Sequence, residues 1–256
     1  MEVDEAVRAI FKIGGKDNKE FMQSLITNDV FKTDGGLVYS ALLGPQGKFL
    51  FDFFLFSRSD ALFLDVAATL AEELSGRLSL YKLRKDVIIE ETNLCMTRGL
   101  DAPPEGALAD PRHPDLGWRF YGPQIDAPQI DWTELRVKLC IPEATIEILK
   151  DSYILEMGFE RLNGVDFRKG CYIGQEITAR MKHKTQLRKG LALAKLSSPL
   201  PPHTPIMSND KNIGFICSQS GCHAIVYLKY DRISNEMFAG NAEVTEVNTE
   251  IITFTR

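Results

Sequence analysis

The sequence predicts an α+β fold, with a mostly antiparallel sheet early in the chain and a small all-β body at its end. Three observations carry this expectation. Helical and strand-like stretches mix in the first half without the strict strand–helix–strand rhythm of a parallel α/β sheet. Two aromatic and aliphatic runs flank the turn GPQGK and read as a β-hairpin. From Gly190 onward, short strand-like runs follow one another across turns with no helix between them, the pattern of a small barrel or sandwich.

Taken in order, KDNKEFMQSLITNDV opens with Asp17 three residues before Glu20, an acceptable helix start. It places Phe21 with Leu25, and Met22 with Ile26, at i,i+4 spacing. GGLVYSALL reads as a strand, FLFDFFLF as its hairpin partner and ALFLDV as a third strand. Residues 67–84, AATLAEELSGRLSLYKLR, predict an amphipathic helix with Leu70, Leu74, Leu78 and Tyr81 on one face. VIIEE follows as a strand. Residues 101–130 are rich in proline and hold one strand candidate, LGWRFYG, so a boundary between lobes is expected near 100–130. DWTELRVKLC reads as a helix. GLALAKL, IGFICS, HAIVYLKY, AEVTEV and EIITFT are the strands of the tail.

Composition narrows the function classes. The 256 residues carry a net charge of −5, which gives no global signal for nucleic acid. The most apolar run, Phe49 to Phe56, contains Asp52 and falls well short of the ~20 apolar residues of a membrane span. The opening MEVDEAVRAIF is acidic, with neither the basic and apolar regions of a secretory signal nor the Arg and Ser content of a transit peptide. The expected location is the cytoplasm for a bacterial protein, or the mitochondrial matrix for a processed eukaryotic one. Five scattered cysteines, an odd number in a chain this long, point to reduced thiols and not to a disulfide framework.

One segment departs from the acidic background. Residues 168–189 hold Arg168, Lys169, Arg180, Lys182, Lys184, Arg188 and Lys189 against Glu176 alone, a net charge of +6. Such a run is either a solvated helix face or a site for an anion: a cofactor tail, a phosphate or nucleic acid. Within it, Gly170 and Gly174 bracket Cys171, Tyr172 and Ile173, a spacing that permits positive φ and close backbone approach. A thiol just ahead of the helix GQEITARM and next to Lys169 has its thiolate favoured by the dipole and by the cation. The competing reading is a small residue in a tight turn. No base for a Cys–His nucleophile is in view, since His183 would lie about 18 Å away along a helix. CSQSGCH, with Cys217, Cys222 and His223, is a poor match to zinc-ligand spacing and reads as packing at a strand–turn–strand. No phosphate-binding loop, dinucleotide fingerprint, zincin motif or nucleophile elbow is present.

KGCYIGQEITAR resembles the signature of the YgfZ family, with nearly every position of its K-G-C-Y-x-G-Q-E present. FMQSLITNDV, YSALLGPQGKFLFDFFL, YKLRKDV, DPRHPDLGW and GFICSQSGCHAIVYLK are similar to that family's other blocks, in the same order, so the resemblance covers almost the whole chain. The family includes mitochondrial iron–sulfur assembly factors that work with A-type scaffold proteins. It is related to the glycine-cleavage T-protein, a folate-dependent aminomethyltransferase. The resemblance implies a ring of three small domains around a central opening. Residues 1–185 would form a folate-binding region of two lobes, one of them discontinuous, and 186–256 a C-terminal β-barrel.

The resemblance also implies a site. LEMG, residues 155–158, stands where T-protein has L-E-A-G, so Glu156 would hold the pterin ring by accepting a pair of N–H donors. Asp52, Tyr39 and Lys169 would complete the tetrahydrofolate site. Cys171 would be the functional thiol of a motif loop that includes Lys169, Gly170, Tyr172, Gly174, Gln175, Glu176 and Arg180. Two departures from T-protein stand out. Its paired aspartates are reduced here to Asp52 beside Phe51, which argues against aminomethyl transfer, and its loop aspartate is replaced by Cys171. A thiol there suggests redox sensing, cluster contact or a mixed disulfide. A 4Fe–4S cluster takes about four thiolates, so contact through Cys171 alone would be transient and shared with a partner. The implied function is a folate-binding accessory factor, not a turnover enzyme, for assembly or maintenance of 4Fe–4S clusters in aconitase-type and radical-SAM recipients. The alternatives are tetrahydrofolate-dependent C1 transfer and, third, a tRNA-modification or RNA-binding role.

Overall fold

The computed structural model describes residues 7–183 and 187–250. The chain forms two compact units, Met1–Ile130 with Asn163–Gln175, and Asp131–Leu162 with Glu176–Arg256. Residues 131–162 thus belong to the same unit as the C-terminal strands. Among the described residues no helix is long and apolar enough to cross a membrane.

The first unit is built on a five-stranded sheet. Its strands are β1 (Arg8–Gly14), β2 (Val38–Leu43), β3 (Phe49–Arg58), β4 (Ala61–Ala67) and β5 (Ile88–Glu91), in the order β2-β3-β4-β1-β5, and every pairing is antiparallel. The GPQGK turn joins β2 to β3 as the sequence predicts. The Gly44 and Lys48 backbones close it at 2.8 Å, and Gly47 takes φ 71°, open to a residue with no Cβ. Phe51, Phe53 and Leu55 on one face of β3 and Phe54 and Phe56 on the other are all buried, so the strand packs on both faces and reads as a near-continuous apolar run. Strand β1 has no counterpart in the sequence reading, yet it lies inside the sheet, paired with both β4 and β5.

Two helices follow from the predicted periodicity. Helix α1 (Asn18–Gln23) buries Phe21 and Met22. Helix α2 (Ala71–Lys82) buries Leu74 and Leu78 and starts later than the pattern implied, because Ala68–Leu70 form a 3-10 turn. A second, three-stranded sheet holds β6 (Cys95–Gly99), β7 (Leu108–Ala109) and β8 (Trp118–Gly122), in the order β6-β8-β7.

The second unit contains α3 (Trp132–Lys138), most of α4 (Gln175–His183) and a closed six-stranded barrel. The barrel strands are β9 (Lys189–Leu196), β10 (Pro205–Ser208), β11 (Lys211–Ser220), β12 (His223–Lys229), β13 (Phe238–Ala239) and β14 (Ala242–Asn248), in the order β10-β11-β12-β9-β14-β13. Closure leaves no sheet edge to aggregate. Its interior is packed by Ala192, Ala194, Ile206, Ile216, Ala224 and Val226, among others, small and branched residues suited to a narrow barrel. The predicted strand EIITFT and the cation Lys184 lie outside the described residues, apart from Glu250.

Candidate functional site

The motif loop is held from below. Lys169 is 8% exposed, and its ammonium donates to the carbonyls of Gln23 (2.8 Å), Ile26 (2.6 Å) and Asn28 (3.0 Å). Gln23 ends α1 and Ile26 and Asn28 follow it, so the ammonium gathers the backbone where the chain leaves that helix. Burial strips the ammonium of water and lowers its pKa to about 8, while Asp29 and Asp166 pull the other way. The sequence reading gave Lys169 to the thiol and to an anion. The structure turns its charge inward onto three carbonyls.

The next residues are fixed just as firmly. Tyr172 is buried, with the Lys169 ammonium 5.2 Å from its ring centroid. Gly174 takes φ 81°, and a Cβ there would stand 2.7 Å from the Gly44 carbonyl oxygen and 3.0 Å from Gly47 Cα. The motif glycine is therefore needed for close approach to the β2–β3 hairpin turn. Gly170, by contrast, has open space around it. Between these anchors the Cys171 side chain is exposed. Gln175 begins α4, where Arg180 and Glu176 form an exposed i,i+4 ion pair of 2.8 Å. The result is a loop anchored on either side of one solvent-exposed thiol.

Tyr39 and Asp52 are also brought together in this unit. The Tyr39 hydroxyl donates to Asp52 Oδ2 at 2.8 Å. Burial, reinforced by the Asp52 charge, raises the Tyr39 pKa well above its ordinary value, so the phenol remains a donor. A cavity of about 570 Å3 lies beside Tyr39, walled by Asn28, Lys32, Asn163 and Val165. In its wall Lys32 pairs with Asp166 at 2.7 Å.

Behind Tyr39 lies a charge network that the sequence reading did not identify. Asp110 accepts from Arg112 Nε (3.1 Å) and Nη2 (2.9 Å) and from Arg119 Nε (2.9 Å). Asp65 accepts from Arg8 Nε (2.5 Å), Arg119 Nη1 (3.3 Å) and the Tyr121 hydroxyl (2.8 Å). Burial alone would raise the Asp110 pKa, but the Arg112 and Arg119 charges outweigh it and hold the carboxyl well below the usual range. The two guanidiniums stack on Phe54, at 4.9 and 3.9 Å from its centroid, and Arg112 also faces Tyr39 at 5.7 Å. Charged residues inside DPRHPDLGW were the available signal, but charge ordinarily reads as surface.

Glu156 belongs to the second unit, in a run of turns ahead of α4. It is 6% exposed. Its Oε2 accepts from the Tyr227 hydroxyl at 2.7 Å, with the Lys189 ammonium at 3.7 Å. Among the described residues no donor reaches its other oxygen, Oε1. Burial and the Glu156 hydrogen bond raise the Tyr227 pKa, which keeps that hydroxyl protonated. The position depends on Gly190, where a Cβ would meet the Glu156 carbonyl oxygen at 2.7 Å and the Tyr230 hydroxyl at 2.6 Å. Glu156 lines a cleft of about 1320 Å3 together with Arg188, Lys189, Lys229, Tyr230 and Arg232. A carboxylate with one oxygen held and one open, on the wall of a cationic cleft, can accept an N–H donor from a ligand that also carries negative charge.

The remaining thiols are placed for packing or turns. Cys140 and Cys217 are buried, and Cys222 is exposed in the tight β11–β12 turn with His223 Nδ1 at 3.7 Å. Among the described residues no three His, Cys, Asp or Glu side chains are grouped to hold a metal.

The comparisons with known proteins follow this division. Residues 188–251 match the CAF17 C-terminal beta-barrel domain, the same stretch that forms the barrel. The chain is similar to the iron-sulfur cluster assembly factor IBA57 homolog, mitochondrial, of Pyricularia oryzae, with 29% identity over 209 residues, 71% of this chain and 54% of the relative. It is similar to the iron-sulfur cluster assembly factor IBA57, mitochondrial, of Mus musculus, with 29% identity over 236 residues, 76% of this chain and 66% of the relative. These alignments thus span between about half and two thirds of the curated relatives. A solved structure, the glycine cleavage system aminomethyltransferase T of Bartonella henselae, superposes with a TM-score of 0.72 over 94% of this chain and 82% of its own. At 12% sequence identity that likeness concerns the fold, which is the aminomethyltransferase fold.

Proposed function

We propose, from the premise that this chain belongs to the YgfZ/IBA57 family, that it is an accessory factor in iron–sulfur cluster assembly and uses the aminomethyltransferase fold to bind a folate without turning it over. The observation that carries the reading is the motif loop. Lys169, Tyr172 and Gly174 are all anchored, and the residue they present is an exposed Cys171. A thiol held that way can meet a cluster on a partner protein, or the partner's own thiol, at little cost in conformational entropy. One thiolate holds too little of a cluster to keep it, which suits transfer and not storage.

The residues of the second unit fit a folate headgroup. Glu156 is buried, Tyr227 fixes one of its oxygens, and Oε1 is open to accept from the amino and ring N–H groups of a pterin. In the first unit the protonated Tyr39 hydroxyl holds Asp52, so that carboxylate is already engaged as an acceptor. When bound, tetrahydrofolate supplies a reduced pterin. The chain's own part is to bind it, orient it and keep the phenols of Tyr39 and Tyr227 protonated. The partners in this reading are A-type scaffold proteins, the recipients are aconitase-type and radical-SAM enzymes, and the place of action in a eukaryote is the mitochondrial matrix.

The test is aconitase activity in cells lacking the gene, with rescue by wild type, Cys171→Ala or Glu156→Ala. Loss of activity that wild type restores, and that Cys171→Ala does not, is the expected result. Unchanged cluster enzymes in the deleted cells would overturn the assembly reading and leave C1 transfer, for which tetrahydrofolate-dependent turnover of an aminomethyl donor would be assayed next. Full rescue by Glu156→Ala would remove the folate site and leave the thiol.

A further inference from the structure

The cleft beside Glu156 holds more positive charge than a pterin headgroup would use. Strand β9 begins at Lys189 and strand β12 ends at Lys229, and these two residues are direct partners across the antiparallel pair. Like charges in that relation repel each other. Arg188 and Arg232 line the same cleft. Among the described residues none of Arg188, Lys229 and Arg232 has a carboxylate at ion-pair distance, and the nearby acidic residue Asp231 pairs with none of them. Exposed cations without a carboxylate partner among the described residues, such as Lys16 and Lys211, occur singly elsewhere on this chain; the cleft differs in that Arg188, Lys229 and Arg232 share one wall with Lys189. Cations gathered on one cleft wall, with Lys189 and Lys229 opposed across the strand pair, make a positive field that an anion would neutralise.

The size of the cleft points the same way. At about 1320 Å3 it exceeds the ~300–1,000 Å3 of a typical small-molecule pocket. A headgroup at Glu156 would leave room toward Arg188, Lys229 and Arg232. The geometry therefore calls for a ligand with two unlike ends: N–H donors at one end for the open Glu156 oxygen, and several negative charges at the other for the cationic rim.

We propose that this cleft is a subsite for the polyanionic tail of the ligand, and that the form bound is a folate extended by several γ-linked glutamates in preference to the monoglutamate. The proposal rests on the folate reading above and adds to it the form of the ligand. Each added glutamate contributes one carboxylate to a rim of uncompensated cations, so affinity rises with tail length and the gain is sensitive to salt.

The experiment measures the affinity of the full chain for tetrahydrofolate monoglutamate and pentaglutamate by calorimetry, at low and at high ionic strength. The expected result is about tenfold tighter binding of the pentaglutamate at low salt, shrinking at high salt. In an Arg188→Gln, Arg232→Gln double variant, whose fold is checked by its unfolding temperature, the ratio of the two affinities falls toward one. Equal affinity of wild type for both forms overturns the tail subsite while leaving the folate reading in place. A pentaglutamate preference that survives the double variant also overturns it, because the tail then lies elsewhere. Binding of neither form overturns the folate reading and the subsite with it.

Discussion

The Lys169 ammonium lies 2.6 Å from the carbonyl oxygen of Ile26, 143 residues earlier in the chain. This contact makes the motif loop part of the core of the first unit, although its sequence looks like a charged surface run. The lysine closes the carbonyl end of α1 while the thiol two residues later stays outside.

Lys169→Met removes the donor shared by three carbonyls and should cost about 2–4 kcal/mol of stability. The cost should also depend on pH. The folded pKa of about 8 lies below the ordinary 10.5, so the folded protein gives up this proton first. Between those values the unfolded chain binds more protons, and wild-type stability gains as pH rises. The variant lacks the group, so the stability gap between the two proteins should widen from pH 8 to pH 10. Urea unfolding across that range checks it, and a gap that narrows would refute the assignment.

Gly174→Ala should destabilise the first unit by about 3 kcal/mol, from an unfavourable φ and a Cβ pressed onto the Gly44 carbonyl. Gly170→Ala, in open space, should cost less than about 1 kcal/mol. Thermal unfolding of the two variants side by side separates a packing requirement from a general need for flexibility.

Asp110→Asn leaves Arg112 and Arg119 buried without their shared countercharge, and a loss of about 3–5 kcal/mol is expected. The wild-type carboxyl has a depressed pKa in the fold. Its contribution is fully present above about pH 4 and disappears as pH falls further. Acid titration of wild type followed by circular dichroism should show the loss below that point, and the variant should show a shallower acid limb.

Thiol labelling at neutral pH should separate the cysteines by position. Cys171 and Cys222 are exposed and should react within minutes under native conditions. Cys140 and Cys217 are buried, and burial pushes the Cys140 thiol up to about 12 and the Cys217 thiol upward as well, so they should react only on unfolding. Alkylation followed by peptide mass spectrometry reads this directly. Rapid labelling of Cys140 in the folded protein would contradict the packing described above.

Where local chemistry decides structure, the sequence was readable. The GPQGK turn, the Leu74–Leu78 face of α2 and the barrel strands β9, β11, β12 and β14 carry their own periodicity and turn residues. Strand β1 was not readable, because its alternation is short and its partners, β4 and β5, lie far along the chain. Strands β10 and β13, of four and two residues, offer too little pattern to register. The glycine spacing around Cys171 announced a close approach, and Gly174 makes one, but nothing local named the hairpin that it meets. Lys169, Asp110, Arg112 and Arg119 were opaque for one reason. Charged residues default to solvent, and only distant partners make their burial affordable. Glu156 came from the family resemblance, and its open oxygen and the Lys189–Lys229 opposition needed coordinates.

The chain passes from one compact unit to the other three times, after Ile130, after Leu162 and after Gln175. No single cut can divide it into two self-sufficient halves. A ribosome that has delivered only the first 130 residues has made every strand of the first unit's sheet but not the segment 163–175 that completes the unit, for the bonds from Thr27 to Gly164 and from Lys169 to Ile26 cannot yet form. The barrel strands then come last, in a unit whose opening residues, from Asp131, have already emerged. Contacts of such long sequence separation slow folding. During that wait the apolar strands of the first unit are unsealed, and a nascent-chain chaperone would find its work there rather than in the barrel.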